Sequence, residues 1–142
     1  MNFLGRLLLG NGTLAPELRQ ELESEGLVLI EEGLGGSLRY HRYRAPCKYF
    51  NGKITPQRIG LGISRKRFVA YCRSGKVDLV DSAFSSPRLG MVDVSLRDDK
   101  RVAILVDYDR GDVPNVSGQV TIVARTPNAP AIVDELRTRI GR

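Results

Sequence analysis

Apolar residues along this chain recur first at every fourth position and then at every second. Leu14, Leu18 and Leu22 make one stripe with Glu17, Arg19, Gln20, Glu21 and Glu23 outside it, the pattern of an amphipathic α-helix. Thr13 opens that helix, Pro16 sits in the first turn where a missing N–H costs nothing, and Gly26 stops it. Ahead of it Phe3, Leu4, Leu7, Leu8 and Leu9 form an apolar cluster broken by Gly5 and Arg6 and ended by Gly10-Asn11-Gly12. A helix of two turns is marginal in water, so this cluster is expected to dock on the domain's own core or on a second copy, with a membrane-interface anchor as the other use. It falls short of the roughly 20 apolar residues of a spanning helix and lacks the cleavage site of a secretory signal. The expected location is therefore cytoplasmic, peripheral to a membrane at most, with reduced thiols.

From Leu27 the period is two. Leu27 to Glu32 reads as a strand, Gly33 to Gly36 as a turn and Ser37 to Ala45 as the returning strand. Leu38 and Tyr40 share one face of that second strand, whereas Tyr43, Ala45, Cys47 and Tyr49 share the other. The phase slips at His41-Arg42, which predicts a bulge or bend, because a slip of one residue flips every later side chain. Ile59, Leu61 and Ile63 then lie opposite Gly60 and Gly62, whose missing side chains mark a tight bend or a close backbone approach. Further strands are expected over Arg67 to Arg73, Lys76 to Val80, Met91 to Leu96, Val102 to Tyr108 and Gly118 to Ala124. Ser64-Arg65-Lys66, Ser74-Gly75 and Asp98-Asp99 supply turns between them. A closing helix follows, with Asn128 as N-cap, Pro130 in its first turn, Ile132, Val133, Leu136 and Ile140 on its buried side, and Gly141 at its end.

Successive short strands joined by hairpin turns leave no room for the crossovers of a parallel sheet. The expected fold is mainly β (α+β), a bent antiparallel β-barrel or sandwich over residues 27–142 capped by the C-terminal α-helix, with residues 1–26 as an N-terminal helical extension. The length of 142 residues is one domain's worth, and 42% apolar with 27% charged residues is a globular balance. Two cysteines, Cys47 and Cys72, match no zinc or redox spacing; set among apolar strand neighbours, they read as small core residues.

Charge adds a second layer. Eleven of the 22 Lys and Arg lie between Gly33 and Val77, a stretch without one Asp or Glu, while the rest of the chain holds the other eleven against all 16 carboxylates. Such separation points to an anionic partner for one region, or to two solvated hairpins. Arg39, Arg42 and Arg44 on one strand and Arg65, Lys66 and Arg67 at a hairpin tip are the candidate anion-binding residues. Aromatics are 6% of the chain and Trp is absent, which disfavours nucleic acid, a partner that wants stacking surfaces among its cations.

Catalysis has little to stand on. His41 is the one histidine, and no nucleophile–base–acid order assembles around it. Asp107, Asp109 and Asp112 with Gly111 have the composition of a hard-cation loop but neither the spacing nor the closing Glu of an EF-hand. Gly33-Leu34-Gly35-Gly36 precedes a strand and lacks the Lys-Ser/Thr step of a phosphate-cradling loop. No enzyme activity, metal or cofactor is expected.

The segment Gly60-Leu61-Gly62-Ile63-Ser64-Arg65-Lys66-Arg67-Phe68-Val69-Ala70-Tyr71 resembles the hairpin of bacterial pleckstrin-homology-like and GRAM-like domains, in which a glycine-containing strand turns through a basic step into an aromatic-bearing one. The wider resemblance, seven or so strands and a single closing helix, covers Leu27 to Ile140, although the closing-helix Trp familiar from eukaryotic members has no counterpart. The resemblance implies a non-catalytic recognition module for anionic head groups, protein partners or, in bacterial forms, self-assembly. Lipid-binding members place basic residues around the loop joining the first two strands. The predicted hairpin assigns that place to Gly33-Leu34-Gly35-Gly36-Ser37, which has none. The leading expectation is an anionic surface, lipid head groups, or a protein as partner; the alternative is a homo-oligomer assembled through the N-terminal apolar segment.

Overall fold

The computed structural model describes residues 16–72, 77–111 and 113–141, with side chains at all of these except 77–79. Helix α1 (Pro16–Ser24) leads into β1 (Leu27–Ala45), β2 (Lys48–Phe50), β3 (Ile54–Ser64), β4 (Arg67–Cys72) and β5 (Val77–Ala83). A 3₁₀ turn at Pro87–Met91 precedes β6 (Val92–Asp98) and β7 (Arg101–Asp107), and another at Tyr108–Arg110 precedes β8 (Ser117–Arg125) and helix α2 (Ala129–Ile140). The strand order is β5-β4-β3-β1-β8-β7-β6, with β2 paired to β1. The pairings β1–β2, β3–β4, β4–β5, β6–β7 and β7–β8 are antiparallel. A mainly β, antiparallel chain closed by a C-terminal helix is thus the fold. The expected elements at residues 1–12, Thr13, Leu14, Arg73, Ser74-Gly75 and Lys76 lie outside the described residues.

The chain forms two compact units, Met1–Gly36 with Gln57–Ser86, and Ser37–Pro56 with Pro87–Arg142. In the first, Gly60 faces Tyr71 and Gly62 faces Val69 across β3 and β4. Facing residues share a side of the sheet, so the glycines leave a hollow there. Tyr71 fills part of it: a Cβ on Gly60 would lie 2.2 Å from the Tyr71 ring carbon Cζ. Leu22 of α1 fills the rest, 2.8 Å from where a Cβ on Gly62 would stand. Leu22, Val69 and Tyr71 make a buried cluster with Leu18 and Ile30 against it. The close approach expected of Gly60 and Gly62 is therefore the seat of α1.

One expected element is absent. Gly33 to Gly36 is no turn; β1 runs through it as one strand of 19 residues. Gly33 takes the left-handed φ of 69° within the strand, and Arg58 of β3 lies 3.4 Å from the space a Cβ on Gly35 would occupy. Glycines here admit a local distortion and a neighbouring side chain instead of reversing the chain.

In the second unit the bend expected at His41-Arg42 is present. Arg42 has φ 49°, and Gly118 of β8, itself at φ 86°, brings its backbone so near that a Cβ would lie 2.1 Å from the Arg42 carbonyl oxygen. The chain reverses later, at Pro46-Cys47, so that Tyr43 faces Phe50, Arg44 faces Tyr49 and Ala45 faces Lys48. Cys47, at φ 61°, is exposed there and is not a core residue, whereas Cys72 is buried. Asp98 makes the β6–β7 turn by accepting the Lys100 N–H at 2.9 Å. Helix α2 buries Ala129, Ile132, Val133 and Leu136. Asn128 precedes it without capping through its side chain; its own N–H is held by Thr126 Oγ1 at 3.1 Å. Among the described residues no helix is long and apolar enough to cross a membrane.

Candidate anion-recognition site

The cations expected to act together fall into three settings. Arg42 and Arg44 are exposed on β1 in the second unit, and Arg39, on the same strand, is half-buried with its Nε unpartnered among the described residues. Arg65 and Lys66 are exposed at the β3–β4 turn of the first unit, where Ser64 Oγ accepts the N–H groups of Lys66 and Arg67 at 3.1 and 3.0 Å. Arg67 is different. It bonds Glu21 at 2.6 Å, Glu25 at 3.0 Å and Asp81 at 3.1 Å, with its side chain only 16% exposed. Burial works against its charge, but the Glu21 hydrogen bond and the fields of Asp81 and Glu25 outweigh that and raise its pKa. Three carboxylates occupy this guanidinium, so Arg67 fastens α1 to the sheet and is withdrawn from the anion-facing group. Sequence alone placed it on the hairpin tip; the in-phase position beside Val69 and Tyr71 turns it to the face that α1 covers.

The Pro46-Cys47 reversal brings further residues beside Arg42 and Arg44. Lys48, Tyr49, Lys53 and Ile54 are exposed, Tyr49 by 55% and Ile54 by 57%. The Arg44 guanidinium stands 5.2 Å over the Tyr49 ring and Lys53 Nζ stands 4.1 Å over Phe50. Each cation lies over the negative face of a π system. Arg42, Arg44, Lys48 and Lys53 form no ion pair with a described carboxylate.

The hairpin rests on an aromatic cluster. Tyr40 packs against Tyr43 at 5.3 Å and Phe50 at 5.0 Å between ring centres, and Tyr43 reaches Tyr108 at 5.9 Å. Such pairs contribute about 0.5–1.5 kcal/mol each beyond area burial. Burial first, then Tyr43 and Tyr40, push the Tyr108 hydroxyl pKa up. Backbone ties complete the frame: Tyr40 N–H to Lys53 O and Gly52 N–H to Tyr40 O, both 2.9 Å, and Arg42 N–H to Asn51 Oδ1 at 3.2 Å. Sequence reasoning missed the reversal at Pro46-Cys47, because Tyr43, Ala45, Cys47 and Tyr49 alternate as if one strand continued. Asn51-Gly52 is a bend within the returning arm, which stays beside β1 on both sides of it.

Of the other chemical candidates, Asp107 and Asp109 are spent on structure. Asp107 is buried and accepts from Asp109 N–H at 3.1 Å, Arg110 Nε at 3.2 Å and Gln119 Nε2 at 3.2 Å. Asp109 accepts the Gly118 N–H at 3.0 Å; Asp112 lies outside the described residues. Among the described residues no group of three His, Cys, Asp or Glu is placed to hold a metal ion. His41 is exposed. No family model matches the sequence, and no curated protein matches it.

Proposed function

We propose that this chain is a non-catalytic, pleckstrin-homology-like module that docks on an anionic surface, lipid head groups, through the β1–β2 hairpin and the Asn51-Gly52 bend of its returning arm. One observation carries the reading. Arg42, Arg44, Lys48 and Lys53 are exposed, lack carboxylate partners among the described residues, and surround the connection between the first two long strands. With Gly33 to Gly36 inside β1, that connection is Pro46 to Lys53, so the place where the resembled family carries basic residues is basic here as well. Seven long strands in antiparallel runs followed by α2 support the same family reading.

The physical chemistry suits a surface more than a pocket. Near an anionic bilayer each such cation contributes about 1 kcal/mol, and Tyr49 and Ile54 add apolar area at the same hairpin, with tyrosine suited to the head-group level. The test is co-sedimentation with phosphatidylserine-containing and neutral vesicles at several salt concentrations. The intact protein should bind only the acidic vesicles, and less as salt shortens the Debye length from about 10 Å at 0.1 M to about 3 Å at 1 M. Replacing Arg44, Lys48 and Lys53 together by Ser should remove most of that binding while leaving the circular dichroism spectrum unchanged. Equal binding by the triple variant overturns the proposal, as does binding to single-stranded nucleic acid without binding to acidic vesicles.

A further inference from the structure

We infer that strand β6 is a self-recognition edge that pairs two copies of this chain. β6 ends the strand order, with β7 on its one paired side. Along it lies an open cleft of about 410 Å³ lined by Val92, Asp93, Val94, Ser95, Arg137 and Ile140. Exposed strand edges invite a further strand, and proteins that avoid this commonly place charges, proline or a bulge on the edge. In Asp93-Val94-Ser95-Leu96-Arg97 no proline intervenes, the two charges are of opposite sign, and the register shift of β6 comes only after Leu96.

Turned antiparallel to itself about Ser95, this pentapeptide sets unlike charges and apolar residues opposite one another; its ladder with β7 is regular from Val92 to Leu96 and shifts register at Arg97. Asp93 meets Arg97 of the second copy, Val94 meets its Leu96, Ser95 meets its Ser95, and the two-fold axis repeats each pair. Opposite charges and apolar pairs facing one another across antiparallel strands are the favourable combinations, and a two-fold axis demands this self-complementarity. The side chains are placed to use it. Leu96 is 43% exposed although Val94, on the same face, is buried. Arg97 is exposed and forms no ion pair with a described carboxylate. Asp93 bonds Arg110 at 2.5 Å yet keeps its side chain 42% exposed, and a carboxylate has lone pairs for a second cation. The Val94 carbonyl accepts Arg137 Nε at 3.1 Å and likewise retains a second lone pair.

Sedimentation equilibrium on the full chain tests this. The intact protein should self-associate to a dimer, and Arg97→Asp or Asp93→Arg should each weaken it by about tenfold or more, because symmetry sets every like-charge pair twice. Mixed in equal amounts, the two variants should form a heterodimer that neither forms alone, since one then carries two Arg and the other two Asp at the facing positions. Asp93→Arg also removes the partner of Arg110, so Ser95→Lys is the control for folding; it puts like charges face to face at an exposed position and should give a folded monomer by circular dichroism. A monomeric intact protein overturns the inference. So does a dimer that survives Ser95→Lys and both charge reversals, or that is lost only when residues 1–12 are removed.

Discussion

Tyr71 shows how one side chain sets several properties. Its ring covers Gly60, and its hydroxyl is buried without a hydrogen-bond partner among the described residues. Burial chiefly, with the Glu32 carboxylate adding to it and Arg19 opposing, raises its pKa well above the ordinary tyrosine value of about 10. Below that value folded and unfolded chains both carry the proton, and Tyr71 adds no pH dependence. Above it the unfolded chain ionises first, so stability should fall as pH rises past 10. Tyr71→Phe should flatten that alkaline limb and, by removing a desolvated hydroxyl, leave stability at neutral pH unchanged or raised by about 1 kcal/mol in urea unfolding. Gly60→Ala should do the reverse, costing about 1–3 kcal/mol, because the buried ring has no room to retreat. A Gly60→Ala protein as stable as the parent is incompatible with the packing described. The need for small residues at 60 and 62 was legible from their phase in β3; what fills the space was not, because Tyr71 and Leu22 meet it from distant parts of the chain.

At the level of elements, what the sequence disclosed follows from how local each signal is. Helix α2 was readable almost to the residue, since its stripe, its early proline and its terminal glycine all lie within 14 residues of each other. Leu136 is fully buried, and Leu136→Ala should cost about 2–5 kcal/mol in the same unfolding experiment. β1 misled because a run of glycines is a turn signal, and only its neighbours decide whether it turns. The alternation that continued through Tyr43, Ala45, Cys47 and Tyr49 concealed a true reversal at Pro46-Cys47, where non-glycine Cys47 takes a positive φ. The candidate site was consequently half legible. Arg42 and Arg44 were found by charge, while Lys48, Lys53, Tyr49 and Ile54 joined them only once the chain had turned. Arg67 left the group because a third element, α1, covers its face of the sheet; Arg67→Ala should therefore loosen α1, seen as faster hydrogen exchange over residues 18–25, while acidic-vesicle binding stays as it was.

Across the whole molecule, a net charge of +6 understates what the basic hairpin offers, since carboxylates elsewhere offset cations they never meet. Two copies joined at β6 would carry two hairpins, and the second contact would be made at the effective concentration set by the first. The Ser95→Lys monomer should accordingly bind acidic vesicles more weakly than the parent even though its hairpin is unaltered. The hairpin also carries its own means of observation. Cys47 lies exposed at the reversal, and Cys72, the other of the two cysteines, is buried. A thiol reagent should thus modify one equivalent in the native protein and a second only after denaturation. A polarity-sensitive fluorophore attached to Cys47 would stand between the cations and the apolar residues of the hairpin, with no cysteine to be added or removed. Its emission should shift to the blue as the tip enters a head-group layer and return as salt lifts it away.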